Sequence, residues 1–242
     1  GAARNALDCA YWDLQTRQRG QRIWQLLGSE QPAPVITAYT LSLDTPENMH
    51  QAACEHAARP LLKLKLAGAG DIERVTAVRE GAPKSRLIVD ANEGWDAALY
   101  EKMVPELQKL GVEMIEQPLP SGQDEALYHL PRPITLCADE SCHASDSLAD
   151  IIGKYDMINI KLDKTGGLTE ALQLRNQAQA AGLQIMVGCM LATSLAMAPA
   201  ILIADGATVV DLDGPLLLER DREPGLDFSN NLIHPPAAAL WG

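Results

Sequence analysis

The run LIVDAN, residues 87–92, closes an apolar stretch on an acid, Asp90. The same figure returns twice downstream, as Glu116 in MIEQP (114–118) and Asp139 in LCADES (136–141). Glu116 lies 26 residues after Asp90, and Asp139 lies 23 after Glu116, about the length of one strand-plus-helix repeat. Two lysines continue the series. Lys65 in LLKLKL (61–66) precedes Asp90 by 25 residues, and Lys161 in INIKLD (158–163) follows Asp139 by 22. If each apolar run is a parallel strand, all five side chains project from the carboxyl ends of consecutive strands, the face on which (β/α) barrels build their active sites.

Working outward, the spacing predicts strands over 35–41, 61–66, 87–90, 113–116, 134–138, 157–160, 184–187 and 208–212. Helix starts fall between them at TPEN (Thr45), GDIERV (Gly70) and GGLTEALQL (Gly166). Eight strands with helical crossovers read as one α/β parallel barrel. The opening segment, from Ala2 to about Arg19, places Ala6, Leu7, Ala10, Tyr11 and Leu14 at helical intervals, and IWQLLG continues to a stop at Gly28. This divides the chain into a linking helix (1–30), a barrel (31–215) and a loop-rich C-terminal segment (216–242).

Composition narrows the function classes. The core is aliphatic, with 47% hydrophobic residues but only 4% aromatic. A formal net charge of −12 argues against nucleic acid and anionic membrane surfaces as partners. Five scattered cysteines without a CxxC pair argue against a disulfide framework or zinc site and for a reducing, cytoplasmic setting. No apolar stretch reaches the length of a membrane span. A homo-oligomer is compatible with all of this.

Three carboxylates suit Mg²⁺, or Mn²⁺, because hard cations prefer oxygen donors and keep sites for substrate oxygens. Side chains alternate along a strand, so Lys63 and Lys65 share a face while Leu62, Leu64 and Leu66 take the other. Inward lysines in a closed sheet need anionic partners, and the metal carboxylates can serve. Partial burial and neighbouring cations bring a lysine amine toward roughly 7–8, where it works as a base. Two such lysines on opposite sides of one carbon can remove a proton from either face and return it to the other. A divalent cation would stabilise the enediolate formed on the way.

DCAYWDL (8–14), LKLKL, VDANEGW, IEQPLP, ADES, NIKLDKTGGLTEA, GCM and DLDGP together resemble the enolase superfamily, in its muconate-lactonizing branch. The resemblance covers nearly the whole chain. It implies a modified TIM barrel of (β/α)7β type, and sites of this superfamily pair a Lys or His base with Mg²⁺. Carried over motif by motif, the metal ligands are Asp90, Glu116 and Asp139, and the acid/base pair is Lys65 and Lys161. Lys63 then lies near the substrate carboxylate, and Asn92 and Glu140 orient ligands. DLDGP resembles the DxD of the dipeptide epimerases, whose bacterial L-Ala-D/L-Glu members serve cell-wall peptide recycling. There Asp211 and Asp213 would bind the substrate α-ammonium, with Thr40, Cys189 and Met190 lining the pocket.

The resemblance also implies an N-terminal α+β capping domain, most of which this chain is expected to lack. Two rivals stand beside the epimerase. Cycloisomerase or o-succinylbenzoate synthase chemistry would use the same site, but those substrates carry no ammonium for Asp211 and Asp213. A non-catalytic, metal-stabilised barrel would leave five clustered ionisable groups without a purpose, at a cost in desolvation. His143, after DESC, reads as a loop residue.

Overall fold

The computed structural model describes all residues, 1–242. In chain order the elements begin with α1 (Ala2–Arg19), α2 (Ile23–Leu26), β1 (Val35–Ile36), β2 (Tyr39–Leu41), α3 (Pro46–Glu55), β3 (Leu61–Lys65) and α4 (Asp71–Gly81). Next come β4 (Arg86–Asp90), α5 (Ala97–Lys109), β5 (Val112–Glu116), β6 (Thr135–Ala138), α6 (Leu148–Ile151) and β7 (Met157–Ile160). The last are α7 (Leu162–Thr165), α8 (Leu168–Ala180), β8 (Gln184–Val187), α9 (Ser194–Ala200), β9 (Val209–Val210) and β10 (Leu232–Ile233). Strands β2 through β9 are hydrogen-bonded neighbours in chain order. The chain divides into two compact units.

The first unit comprises 38–142 and 149–158. Its strands are parallel, in a register that sets Thr40 beside Lys63, Lys65 beside Asp90 and Asp90 beside Glu116. Leu62, Leu64, Leu87, Ile88, Val89 and Ile115 are inaccessible to solvent. Burial on both faces is what helical crossovers impose on a parallel sheet. Helix starts follow local chemistry. Thr45 accepts from Asn48 N–H at 3.3 Å ahead of Pro46 in α3, and Asp96 accepts from Leu99 N–H at 2.7 Å to open α5.

The second unit comprises 1–37, 143–148 and 159–242. Gly188 N–H donates to Ile160 O at 3.0 Å at the β7–β8 step, and β8 and β9 pair in parallel. One expectation changes here. The strand over 35–41 breaks at Thr37–Ala38: β1 pairs antiparallel with β10, whereas β2 pairs parallel with β3. The opening helix covers Ala2–Arg19, the span read from the sequence, and ends at Gly20 in the left-handed region at φ 61°; IWQLLG supplies α2 as a separate turn. The loop-rich tail is anchored to the unit. It forms β10, and buried Trp241 donates its indole N–H to Cys9 O at 2.9 Å.

The apolar stripe of α1 also behaves unexpectedly. Leu7, Tyr11 and Leu14 are exposed, and the helix buries Asn5 and Thr16 instead. Its polar face has work within the unit, described below.

Candidate active site

In the first unit the two lysines of β3 meet the carboxylates of β4 and β5. Lys63 Nζ lies 3.3 Å from Asp90 Oδ2 and 2.7 Å from Glu116 Oε2, and Lys65 Nζ donates to Asp90 Oδ2 at 2.7 Å. Asp90 and Glu116 are fully buried, Asp139 and Lys63 nearly so, and the Lys65 side chain keeps 34% of its exposure. Lys65 is thus the one lysine of the pair that solvent, or a ligand, can reach. Burial works against charge on Asp90. The ammonium groups of Lys63 and Lys65, with the Lys65 hydrogen bond, outweigh it, so the carboxyl sits below its ordinary value even with Asp139 pushing the other way.

No three His, Cys, Asp or Glu side chains are drawn into metal-holding geometry; lysine ammonium groups hold these carboxylates instead. The donor set still fits a hard divalent cation. Three oxygen-bearing acids stand at the ends of adjacent strands, and the Lys63 ammonium, shared by two of them, stands in for a positive ion. Lys63 is therefore bound to the carboxylates, the anionic partners that an inward lysine on this strand needs.

The chain beyond each strand is pinned. Asn92 and Glu93 take positive φ, 45° and 62°, and Asn92 donates its backbone N–H to Asp90 Oδ1 at 3.0 Å. Asn92 thus orients Asp90 through its main chain, while its side chain is exposed. Gly94 follows because the backbone passes Ala67 closely: a Cβ there would stand 2.8 Å from Ala91 O and 3.1 Å from Ala67 C. Buried Asp71 accepts from Ala67 N–H at 3.1 Å, Gly68 N–H at 2.7 Å and Trp95 Nε1 at 2.9 Å. It ties the segment after Lys65 to the segment after Asp90. Nothing at sequence level marked Asp71 beyond its place at the start of α4.

In the second unit Lys161 follows β7, caps α7 and is 7% exposed. Its exit is held by the polar face of α1. Asn5 Nδ2 donates to Asp163 Oδ1 at 2.9 Å, Asp8 accepts from Thr169 N–H at 3.0 Å and Oγ1 at 2.7 Å, and Trp12 Nε1 donates to Thr169 Oγ1 at 3.0 Å. Gly167, at φ 122°, runs so close to Asp8 that a Cβ would come within 2.5 Å of it. Asp211 and Asp213 are buried after β9, and Asp211 extends the ladder by donating N–H to Val187 O at 2.8 Å. Half-buried Cys189 and exposed Met190 follow β8, and Met190 O lies 3.1 Å from where a Cβ on Gly214 would sit. Thr40 is half-buried on β2 in the first unit. His143 is exposed, as expected of a loop residue. An apolar cavity of about 380 Å³ beside α1 holds none of the candidate catalytic or metal residues.

The family described as enolase C-terminal domain-like matches residues 48–239, and the mandelate racemase/muconate lactonizing enzyme N-terminal domain matches 1–28. N-acetyl-D-glutamate racemase from a Pseudoalteromonas species is 49% identical over 242 residues, all of this chain and 76% of the relative. L-Ala-D/L-Glu epimerase from Escherichia coli K12 is 47% identical over 236 residues, 97% of this chain and 74% of the relative. Among solved structures, an Agrobacterium tumefaciens enolase-family protein with homology to dipeptide epimerases, with bound sodium and L-Ala-L-Glu, superposes with a TM-score of 0.97 at 51% identity. That match covers all of this chain and 74% of the other. A dipeptide epimerase from Enterococcus faecalis V583, complexed with Mg and L-Leu-L-Tyr, gives a TM-score of 0.89 at 33% identity over 97% of this chain and 70% of that one.

Proposed function

We propose a reaction from one premise: the chain belongs to the enolase superfamily, in its mandelate racemase/muconate lactonizing branch. It is a Mg²⁺-dependent isomerase that epimerises dipeptides of the L-Ala-D/L-Glu type at the α-carbon of the C-terminal residue. The lysine-held carboxylate pair at the ends of β4 and β5 carries this reading, on a chain nearly half identical to an epimerase and a racemase of acylated glutamate.

Asp90, Glu116 and Asp139 would hold the cation. When bound, it supplies positive charge that stabilises the enediolate of the substrate carboxylate. Lys65 and Lys161 divide the proton transfers: one takes the α-proton from its face, and the other delivers a proton to the opposite face, inverting the centre. Lys65 suits the task through its half-exposed amine, anchored on Asp90. Lys161 suits it through burial on a rigid strand end that α1 braces. Lys63 offsets the acid charge around it. Asp211 and Asp213 receive the substrate α-ammonium, and Thr40, Cys189 and Met190 line the pocket.

N-Acetylglutamate presents the same acylated α-carbon without an ammonium, so the racemase of that compound defines a second reading. The two aspartates after β9 favour the dipeptide, since a carboxylate pair attracts a substrate ammonium and offers nothing to an acetyl group. Peptides released from the bacterial cell wall would supply L-Ala-D-Glu, and five free cysteines accord with a cytoplasmic site of action.

The test is proton NMR in D₂O with Mg²⁺, on L-Ala-L-Glu and N-acetyl-L-glutamate in parallel. Loss of the glutamate α-proton signal in the dipeptide, with the L,D diastereomer appearing, is the expected result. Exchange confined to N-acetylglutamate would sink the ammonium assignment, and exchange in neither would sink the reaction.

A further inference from the structure

Behind the carboxylates of β5 and β6 lies a polar cluster that the reaction does not use directly: buried Gln117, Asp124, Lys154 and Tyr155, with half-buried Ser141. All five belong to the first unit. We infer that Gln117 and this cluster are positioning residues for the cation, fixing Glu116 and Asp139 relative to one another. The inference rests on the assignment of those two acids as metal ligands.

Gln117 is fully buried at φ 35°, between Glu116 and Pro118. Its N–H donates to Cys137 O at 2.9 Å, closing the β5–β6 ladder one residue past Glu116. The positive φ turns its side chain to the exit of β6. There Oε1 accepts from Asp139 N–H at 2.9 Å and Ser141 N–H at 3.2 Å. One amide thus joins the residue after one ligand to the backbone of another.

The direction of that amide is dictated from behind. The Asp124 carboxylate only accepts, and both Tyr155 OH and Ser141 Oγ donate to its Oδ2 at 2.8 Å. Having spent their protons, the two hydroxyls can only accept from Gln117 Nε2, which reaches each at 2.9 Å and also donates to Leu119 O at 2.8 Å. Two amide protons therefore face three acceptors on one side, and Oε1 must face the Asp139 and Ser141 N–H groups. Lys154 Nζ, 2.5 Å from Asp124 Oδ1, keeps the buried carboxylate charged, and so fixes the polarity of the whole relay. With its protons ordered this way, the relay holds a single arrangement, which a cation site of defined size needs.

The experiment measures Mn²⁺ binding to the full chain by the EPR signal of free Mn²⁺, without substrate. Tyr155→Phe and Ser141→Ala each delete one hydroxyl that orients Gln117. Both are expected to weaken Mn²⁺ by about threefold to tenfold, the range of one lost neutral hydrogen bond, and Gln117→Leu by about tenfold or more. Met49→Ala, a core variant in the same unit, is the control for lowered stability and should keep the wild-type dissociation constant. Constants within about twofold of wild type in Tyr155→Phe and Ser141→Ala would overturn the positioning role, because a lost orienting bond should cost more. Equal weakening in Met49→Ala would do the same. Wild-type protein that binds no Mn²⁺ would instead remove the ligand assignment, and this inference with it.

Discussion

Two buried lysine–carboxylate clusters share one compact unit, and their access to solvent differs. Around Lys63 and Lys65, two ammonium groups hold two fully buried carboxylates, Asp90 and Glu116, at neighbouring strand ends. Around Lys154, one ammonium faces one carboxylate, Asp124, whose remaining acceptor capacity is filled by Tyr155 and Ser141. The second cluster is complete within the protein. The first leaves its Lys65 side chain 34% exposed, against 9% for Lys154, and it is the one a ligand can reach. Burial of the carboxylates alone does not separate a working site from scaffolding; a reachable lysine beside them does.

Removing one lysine from each cluster is the strongest way to break this comparison. Lys65→Ala should lower the epimerisation rate by on the order of 10²–10⁴-fold, the contribution of a positioned acid/base, with little change in unfolding free energy. Lys154→Met should instead cost about 3–5 kcal/mol of stability, because it strands the buried Asp124 charge. Rate assays and urea melts on both variants read the outcome. A Lys65→Ala protein that unfolds as easily as Lys154→Met would erase the distinction.

How far these clusters can be read in the sequence follows from their geometry. Asp90, Glu116 and Asp139 were legible because each ends an apolar run at one-repeat intervals, and Lys63 and Lys65 because strand periodicity sets them on one face. Asp124, Lys154 and Tyr155 were not, since the loops that carry them converge only in three dimensions, and each alone reads as a surface residue. Gln117 stood in plain view within IEQP as a rigid strand exit, but its amide has a partner only once β6 lies beside β5. For α1 the periodicity marked the helix but not the face it buries. Helical periodicity found Leu7, Tyr11 and Leu14 correctly as a stripe, yet the helix meets its own unit through Asn5, Asp8 and Trp12. The break at Thr37–Ala38 was equally hidden, because 35–41 has uniform strand character while its two halves pair with different strands.

The Asp124 cluster also makes a pH prediction. Burial disfavours the Asp124 charge, but hydrogen bonds from Lys154, Tyr155 and Ser141 outweigh it and hold its carboxyl below the ordinary value. A depressed folded value contributes stability that is fully present above the unfolded value, near 3.8, and is lost as pH falls through the lower folded one. The stability gap between wild type and Asp124→Asn should therefore stay constant from neutral pH down to about 5, then narrow below about 4. Urea melts across that range test it; a gap that widens on acidification would show that Asp124 is not held as the anion.

A smaller effect is expected in the second unit, where Asp211 is proposed to receive the substrate ammonium. Asp211→Asn should lower kcat/KM for L-Ala-L-Glu by about 10–100-fold, the worth of a charged hydrogen bond, and leave proton exchange in N-acetyl-L-glutamate nearly unchanged. Equal losses on both compounds would mean that Asp211 supports the fold or the catalytic machinery rather than an ammonium.

The smallest effect comes from the same two strands that carry Asp90 and Glu116, read at their other ends. Arg86, the first residue of β4, reaches Glu113 near the start of β5, with Nη2 2.7 Å and Nε 2.8 Å from Oε2. Geometrically this pair is as tight as Lys63 with Glu116, but its side chains are 49% and 43% exposed. Water and salt screen both charges before and after folding, so a double-mutant cycle should give a coupling below about 1 kcal/mol that fades as ionic strength rises. Epimerisation should be untouched in either single variant. A coupling above about 2 kcal/mol, insensitive to salt, would mean that short contact distance is enough to make an ion pair strong in this sheet. The contrast between strand ends would then lie in their ligands alone, because solvent would no longer distinguish them.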